Sequence, residues 1–245
     1  MATWVLLRGL VRESRHWGAF VAVLEHRLPQ ARLIAIDLPG NGALHQQRSP
    51  SSIDDMVEAS RGSLRTQGLG PPYHLCAVSM GALVAVQWAH RYPHEVAGQV
   101  LINTSMRPFS PAYQRLQIRH WPMVLRLALG VPPVRWEATV LRMTTALPHP
   151  EVLAQWVRWH MACPVTRLNA LRQLLAAARF TAPASAPKVP TLLLASSQDQ
   201  LVSVRCSQAL AQAWQLPLQQ HPSAGHDLTL DDPHWVAEAI RAFVS

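Results

Sequence analysis

The stretch Tyr73-His74-Leu75-Cys76-Ala77-Val78-Ser79-Met80-Gly81 decides how the chain is read. Its first six residues form a short apolar run of strand type, and Met80 to Tyr92 continues with helical spacing until Pro93 stops it. Ser79 therefore stands where a strand turns into a helix, a tight bend that pushes a hydroxyl clear of a sheet. Small residues two positions before and after such a serine let neighbouring backbone pass close by. The usual spacing is G-x-S-x-G, whereas here Ala77-Val78-Ser79-Met80-Gly81 puts a methyl group at the first small position. Ser79 is the candidate nucleophile, and Cys76 reads as core of the strand that feeds it.

A serine hydroxyl is a weak nucleophile near neutral pH. It needs a base to take its proton, and that base needs a carboxylate to fix its tautomer and stabilise the imidazolium. Asp199 follows the apolar run Thr191 to Ala195, and His226 follows the short strand Leu218 to His221 within Ala224-Gly225-His226-Asp227. The order Ser79, Asp199, His226, each in a loop just after an expected strand, supplies nucleophile, orienting acid and base. Asp227, Asp231 and Asp232 are alternatives for the acid, although Asp231 and Asp232 better fit the start of the closing helix. His90, His94 and His234 read as surface or helix-end residues.

Working outward, Thr3 to Arg8 and Ala31 to Leu38 are apolar runs closed by Gly9 and by Pro39-Gly40, and both fit buried strands. His16 to Leu28 between them reads as a helix. Ser51-Ser52 with Asp54-Asp55 opens another helix, running toward Gly68. Gln99 to Asn103 is a strand, Ser203 to Trp214 a helix, and Pro233 to Val244 a closing helix. Strands alternating with helices imply a parallel sheet covered on both faces. The alternation is interrupted from about residue 107 to 187 by four helical patterns separated at Pro132-Pro133, Pro148 and Cys163-Pro164. This gives a core of residues 1–106 and 188–245 and a helical cap of 107–187, with Thr181 to Pro190 as the returning hinge. The stripe Val152, Leu153, Trp156, Val157, His160 falls at helical spacing and reads first as packing within the cap.

The chain has 245 residues with 49% apolar and 15% charged, which suits a folded globular protein and neither a disordered nor a coiled-coil one. No apolar run reaches the ~20 residues that span a bilayer, and the first residues lack a basic leader, so a cytoplasmic chain is expected. Cys76, Cys163 and Cys206 are odd in number and not at metal-ligand spacing, so neither disulfide nor metal is expected. The formal net charge of +8 is confined to one segment. Between Arg107 and Arg179 ten arginines face only Glu137 and Glu151, while the rest of the chain is balanced. These arginines are interleaved with Leu and Trp rather than gathered in a nucleic-acid motif, which disfavours nucleic acid as partner.

On the elbow at Ser79, the placement of Asp199 and His226, and the strand order, the chain resembles the α/β-hydrolase superfamily over essentially its whole length. The resemblance implies an α/β-hydrolase fold, with a mostly parallel sheet, helices on both faces and a helical cap inserted after the sixth-strand equivalent. It implies a Ser79-His226-Asp199 triad, and an oxyanion hole from the backbone N–H groups of Met80 and Leu10. Arg8-Gly9-Leu10 stands where many relatives carry His-Gly, so the backbone role carries over and the histidine side chain does not. Trp17 and Asp37-Leu38-Pro39-Gly40-Asn41-Gly42 also occupy family positions around the site. Serine at the elbow implies acyl transfer to water with no cofactor, and points away from relatives that use Asp there. In size, order and cap position the chain is similar to the pimeloyl-acyl-carrier-protein methyl ester esterases. That similarity implies a carboxylesterase on short- to medium-chain acyl esters or on a methyl ester of a carrier-bound chain, with an acidic acyl carrier protein held at the basic cap. Trp17, Trp156, Arg115, Arg119, Arg126, Arg135, Arg142 and Arg158 are the candidate substrate- or partner-binding residues. A thioesterase or carbon–carbon bond hydrolase with the same triad, or a non-catalytic scaffold with a basic cap, are the other readings.

Overall fold

A computed structural model describes residues 1–122, 130–147 and 149–244. Six parallel strands, β1 (Ala2–Leu7), β2 (Ala31–Ile36), β3 (Tyr73–Val78), β4 (Val96–Ile102), β5 (Thr191–Ser196) and β6 (Leu218–His221), lie in the order β2-β1-β3-β4-β5-β6. The central strands are mostly apolar because both of their faces are covered. Val5, Leu7, Leu75, Ala77, Leu101 and Leu193 point to one core and Trp4, Leu6, Cys76, Val78, Val100, Ile102, Leu192 and Leu194 to the other. That is the period-2 alternation of a pleated sheet buried on two sides.

The helices divide accordingly. On the first face lie α2 (Ile53–Thr66) and α3 (Met80–Arg91), which pack on each other. On the second, α1 (Phe20–Arg27) packs against the closing helix Pro233–Val244. Ser52 caps α2 by accepting from the Asp55 N–H at 3.1 Å, with Asp54 and Asp55 in the first turn. Its buried residues Ile53, Met56, Val57, Ser60 and Leu64 form one stripe. The single helix expected over His16 to Leu28 is instead a 3-10 turn at Ser14–Trp17 followed by α1. Gly18, at φ 52°, divides them, a backbone conformation that a helix cannot hold.

After β4, the strand that the resemblance equates with the family's sixth, the chain leaves the sheet. The described part of 107–187 contains a short α4 (Ala112–Arg115), α5 (Pro133–Thr144), α6 (Pro150–Ala162) and α7 (Arg167–Arg179), with α5 packed on α6. No strand longer than one bridge occurs among its described residues. That bridge joins Arg107 to Thr181, and the Ala182 N–H donates to the Arg107 carbonyl at 2.7 Å, so the departing and returning chains lie side by side. The sheet then resumes with β5, α8 (Val204–Trp214), β6, the single turn α9 (Leu228–Asp231) and α10 (Pro233–Val244). No helix among the described residues is long and apolar enough to cross a membrane.

The strand order reverses between β1 and β3: the chain goes outward to β2 and returns to pair β3 on β1's other side. Loops at such a switch point open a crevice at the carboxyl ends of the strands. The loop after β1 and the elbow after β3 both sit there.

Candidate active site

Ser79 links β3 to α3 with φ 56° and ψ −117°. A residue with a Cβ is strained there, and the position is held from outside. The Ser79 N–H donates to the Ile102 carbonyl at 2.9 Å, and the Thr104 hydroxyl donates to the Ser79 carbonyl at 3.4 Å. Gly81 explains the small-residue spacing. A Cβ placed on it would lie 2.4 Å from the Leu7 carbonyl oxygen and 2.7 Å from that of Arg8, so α3 meets the end of β1 backbone to backbone. Ala77, fully buried between Leu7 and Leu101 on the neighbouring strands, finds room for its methyl.

The loop after β1 runs directly over the serine. A Cβ on Gly9 would be 3.1 Å from the Ser79 Cβ and 3.6 Å from its Oγ. Leu10 follows, beyond the strand ladder, and Met80 is the first residue of α3, whose N–H has no partner inside the helix. Val11 has φ 50°, an outlier for a β-branched residue. Its N–H is held by the Gln173 Oε1 of α7 at 2.9 Å, and the Gln173 amide also reaches Asn41 and Ser49.

His226 and Asp199 are brought together from the loops after β6 and β5. Nδ1 of His226 lies 2.7 Å from the Asp199 Oδ2, and both residues are buried. The other carboxylate oxygen accepts the Leu201 and Val202 N–H groups at 2.8 and 2.9 Å, which fixes the carboxylate and leaves Nε2 of His226 for a second partner. Burial alone would depress the histidine's pKa. The Asp199 charge and hydrogen bond, with Asp227 adding to them, outweigh it and raise the value above that of free histidine.

One residue joins serine and histidine loops. Asn103, between the Ile102 and Thr104 that hold Ser79, donates from Nδ2 to the His226 carbonyl at 2.8 Å, and its Oδ1 accepts the Ser196 N–H at 2.7 Å. Sequence reasoning passed over it, because its only mark is a polar residue closing an apolar strand. Of the alternative acids, Asp232 accepts from the Trp235 N–H at the start of α10 as expected. Asp231 does not cap that helix. It turns inward to accept from the Gly225 and Ala146 N–H groups at 2.7 and 2.8 Å and to meet His149 at 2.9 Å, tying the histidine loop to the segment after α5. Asp227 pairs with Arg8 rather than with His226.

The remaining candidates are dispersed. Trp17 is buried in the second core beneath the Arg8 guanidinium. Trp156 is also buried, with the Arg12 guanidinium 4.4 Å from its ring and the His16 ring 5.2 Å away. Arg115 is half-buried and donates to the Ala177 carbonyl, and Arg119 is exposed and reaches the Gln200 carbonyl. Arg135, Arg142 and Arg158 are exposed, and Arg126 lies outside the described residues. A second polar cluster was not foreseen. Buried Glu137 of α5 accepts from Arg12 at 2.8 Å and lies 2.7 Å from His160. Burial raises the Glu137 pKa, but the Arg12 charge and these bonds bring it below the usual carboxylate value. Its only sequence signal was scarcity, as one of two acids among ten arginines. No group of three or more His, Cys, Asp or Glu that could hold a metal occurs among the described residues. Cys76 is buried and its thiol pushed up to about 12.

The sequence model of the Alpha/beta hydrolase family matches residues 4–239. The chain belongs to this family. Among its relatives is a pimeloyl-[acyl-carrier protein] methyl ester esterase of Shewanella woodyi, 31% identical over 120 residues; the match covers 48% of this chain and only 40% of the Shewanella protein. A 2-succinyl-6-hydroxy-2,4-cyclohexadiene-1-carboxylate synthase of Serratia proteamaculans is 24% identical, with 98% of this chain and 92% of that protein covered. In structure the chain is similar to the enol-lactonase of Burkholderia xenovorans LB400, with a TM-score of 0.82, 19% identity, and 99% and 91% of the two chains covered. In this alpha/beta hydrolase Ser79, Asp199 and His226 follow the carboxyl ends of β3, β5 and β6.

Proposed function

We propose that this alpha/beta hydrolase is a serine hydrolase cleaving carboxylic esters through an acyl-enzyme on Ser79. The observation that carries the reading is the buried 2.7 Å contact between Asp199 and His226, whose loop is tied through Asn103 to the strand end that holds Ser79 at φ 56°. His226 takes the Ser79 proton at Nε2 as Oγ attacks the ester carbonyl, and Asp199 stabilises the imidazolium that forms. The oxyanion rests on the Leu10 and Met80 N–H groups, whose contribution appears only as the tetrahedral intermediate forms. His226 then protonates the departing alcohol, and water attacks the acyl-serine by the same steps.

Residues 107–187 act as a cap over this site and select short- to medium-chain acyl groups. The Shewanella relative's name and the exposed Arg119, Arg135, Arg142 and Arg158 support a carrier-bound methyl ester as substrate, with an acidic carrier protein on the cap. The Serratia relative, matched over nearly its whole length, is named a synthase rather than an esterase, so a second reading keeps the same triad for a reaction other than ester hydrolysis, a thioesterase or carbon–carbon bond hydrolase. A panel of p-nitrophenyl esters from acetate to decanoate, acyl thioesters and β-diketones separates them. Turnover of esters with one chain-length optimum is the expected result. Turnover confined to thioesters or β-diketones would overturn the ester assignment.

A further inference from the structure

Arg8, Asp227 and Thr229 form a closed, buried polar knot that the triad does not use. Nη1 of Arg8 donates to the Asp227 Oδ1 and the Thr229 Oγ1, each at 3.1 Å, while Nη2 donates to the Asp227 Oδ2 at 2.5 Å. The Thr229 hydroxyl donates in turn to the Asp227 Oδ1 at 3.0 Å. Arg8 and Asp227 are 4% and 3% exposed, and the guanidinium lies 5.0 Å from the Trp17 ring. Each charged partner adjoins the site: Arg8 precedes Gly9 and Leu10, which run over Ser79, and Asp227 follows His226. A two-pronged guanidinium–carboxylate pair fixes direction as well as distance. Taking two charges out of water is costly, and an apolar pair of similar volume would bind the loops at least as well. The chain nevertheless carries charges here, beside a histidine that has another carboxylate as its partner.

We propose that Arg8 and Asp227 are positioning residues for the reaction. They form a charge-matched clamp that fixes the Gly9–Leu10 loop against the histidine loop and keeps the Asp227 carboxylate from competing with Asp199 for His226. The inference rests on the triad reading above and deepens it. Among the described residues the charged groups that act on His226 are Asp199 from the loop after β5, Asp227 beside it, and Arg8 from the loop after β1. Asp227 and Arg8 act on it in opposite directions, Asp227 more strongly, so Arg8 offsets part of the Asp227 effect.

The test is the pH profile of kcat and KM, from pH 5 to 9 at fixed salt, on one p-nitrophenyl ester. Wild type, Asp227→Asn, Arg8→Gln, the double variant and Ser79→Ala are compared, each checked for folding by circular dichroism. Since the base must be neutral, activity rises with pH through the His226 titration. Asp227→Asn leaves the Arg8 cation unopposed and moves this acid limb down by about one unit, and Arg8→Gln moves it up by a smaller amount. The double variant carries neither charge, so its limb falls between those of the two single variants while kcat stays about 10- to 100-fold low, because the loops are no longer clamped. Limbs that coincide with wild type in folded single variants would overturn the clamp. So would a double variant with wild-type kcat, which also decides the matter if the single variants fail to fold. Wild-type turnover that survives Ser79→Ala would remove the triad reading and the clamp together. Ser79-dependent turnover with unmoved limbs removes the clamp alone.

Discussion

At Ser79 the chain holds a side chain where the backbone favours none. A φ of 56° with ψ −117° costs a residue with a Cβ roughly 1–3 kcal/mol, and the Ile102 and Thr104 contacts hold it in place. The strain and the hydroxyl can be separated by substitution. Ser79→Ala keeps the strain and loses the oxygen, whereas Ser79→Gly loses both. Thermal unfolding should therefore rank the glycine variant above the alanine variant by about 1 kcal/mol, against the ordinary preference for alanine. Equal or reversed stabilities would mean that the elbow is relaxed. Neither variant should turn over an ester.

Among the elements, the approach of α3 to the end of β1 is the tightest joint near the site. Gly81→Ala sets a methyl carbon 2.4 Å from a backbone oxygen that cannot move without moving Arg8 and Gly9. It should cost about 1–3 kcal/mol and lower the melting temperature by several degrees. Gly62 lies within α2 with nothing within 4 Å of an added Cβ, so Gly62→Ala should stabilise by about 0.5–1 kcal/mol. Calorimetry that found the same sign for both would refute this account of the joint. The elements were legible in the sequence for the reason that Gly81 was: strands covered on both faces are largely apolar runs, and turn residues mark their ends. Local signals also revealed Ser79, Asp199 and His226, each just past a strand. What stayed hidden is held between distant positions. Arg8 and Asp227 are 219 residues apart and Arg12 and Glu137 125 apart, and no local pattern pairs them. Asn103 reads as the end of a strand until β5 and the histidine loop are folded around it.

Over the whole molecule the charge is divided between a balanced sheet region and a helical segment carrying the entire excess. The arginines of that segment have different surroundings. Arg115 is half-buried and donates to the Ala177 carbonyl, while Arg135, Arg142 and Arg158 are exposed. Exposed cations steer an acidic partner through a field that ~0.15 M salt screens beyond about 8 Å. Raising salt from about 0.05 to 0.5 M should weaken kcat/KM for a carrier-bound acyl ester severalfold or more while leaving a small neutral ester nearly unchanged. Equal salt sensitivity would count against carrier docking and leave the triad untouched. The proposed triad is tested most directly by its reactivity, independent of any substrate. An alkyl fluorophosphonate is attacked by an activated serine oxygen at phosphorus, with fluoride leaving, and the adduct is located by peptide mass spectrometry. The account predicts one adduct, on Ser79, that fails to form in His226→Ala. Unmodified Ser79 in folded wild type, or labelling as fast without His226 as with it, would contradict it.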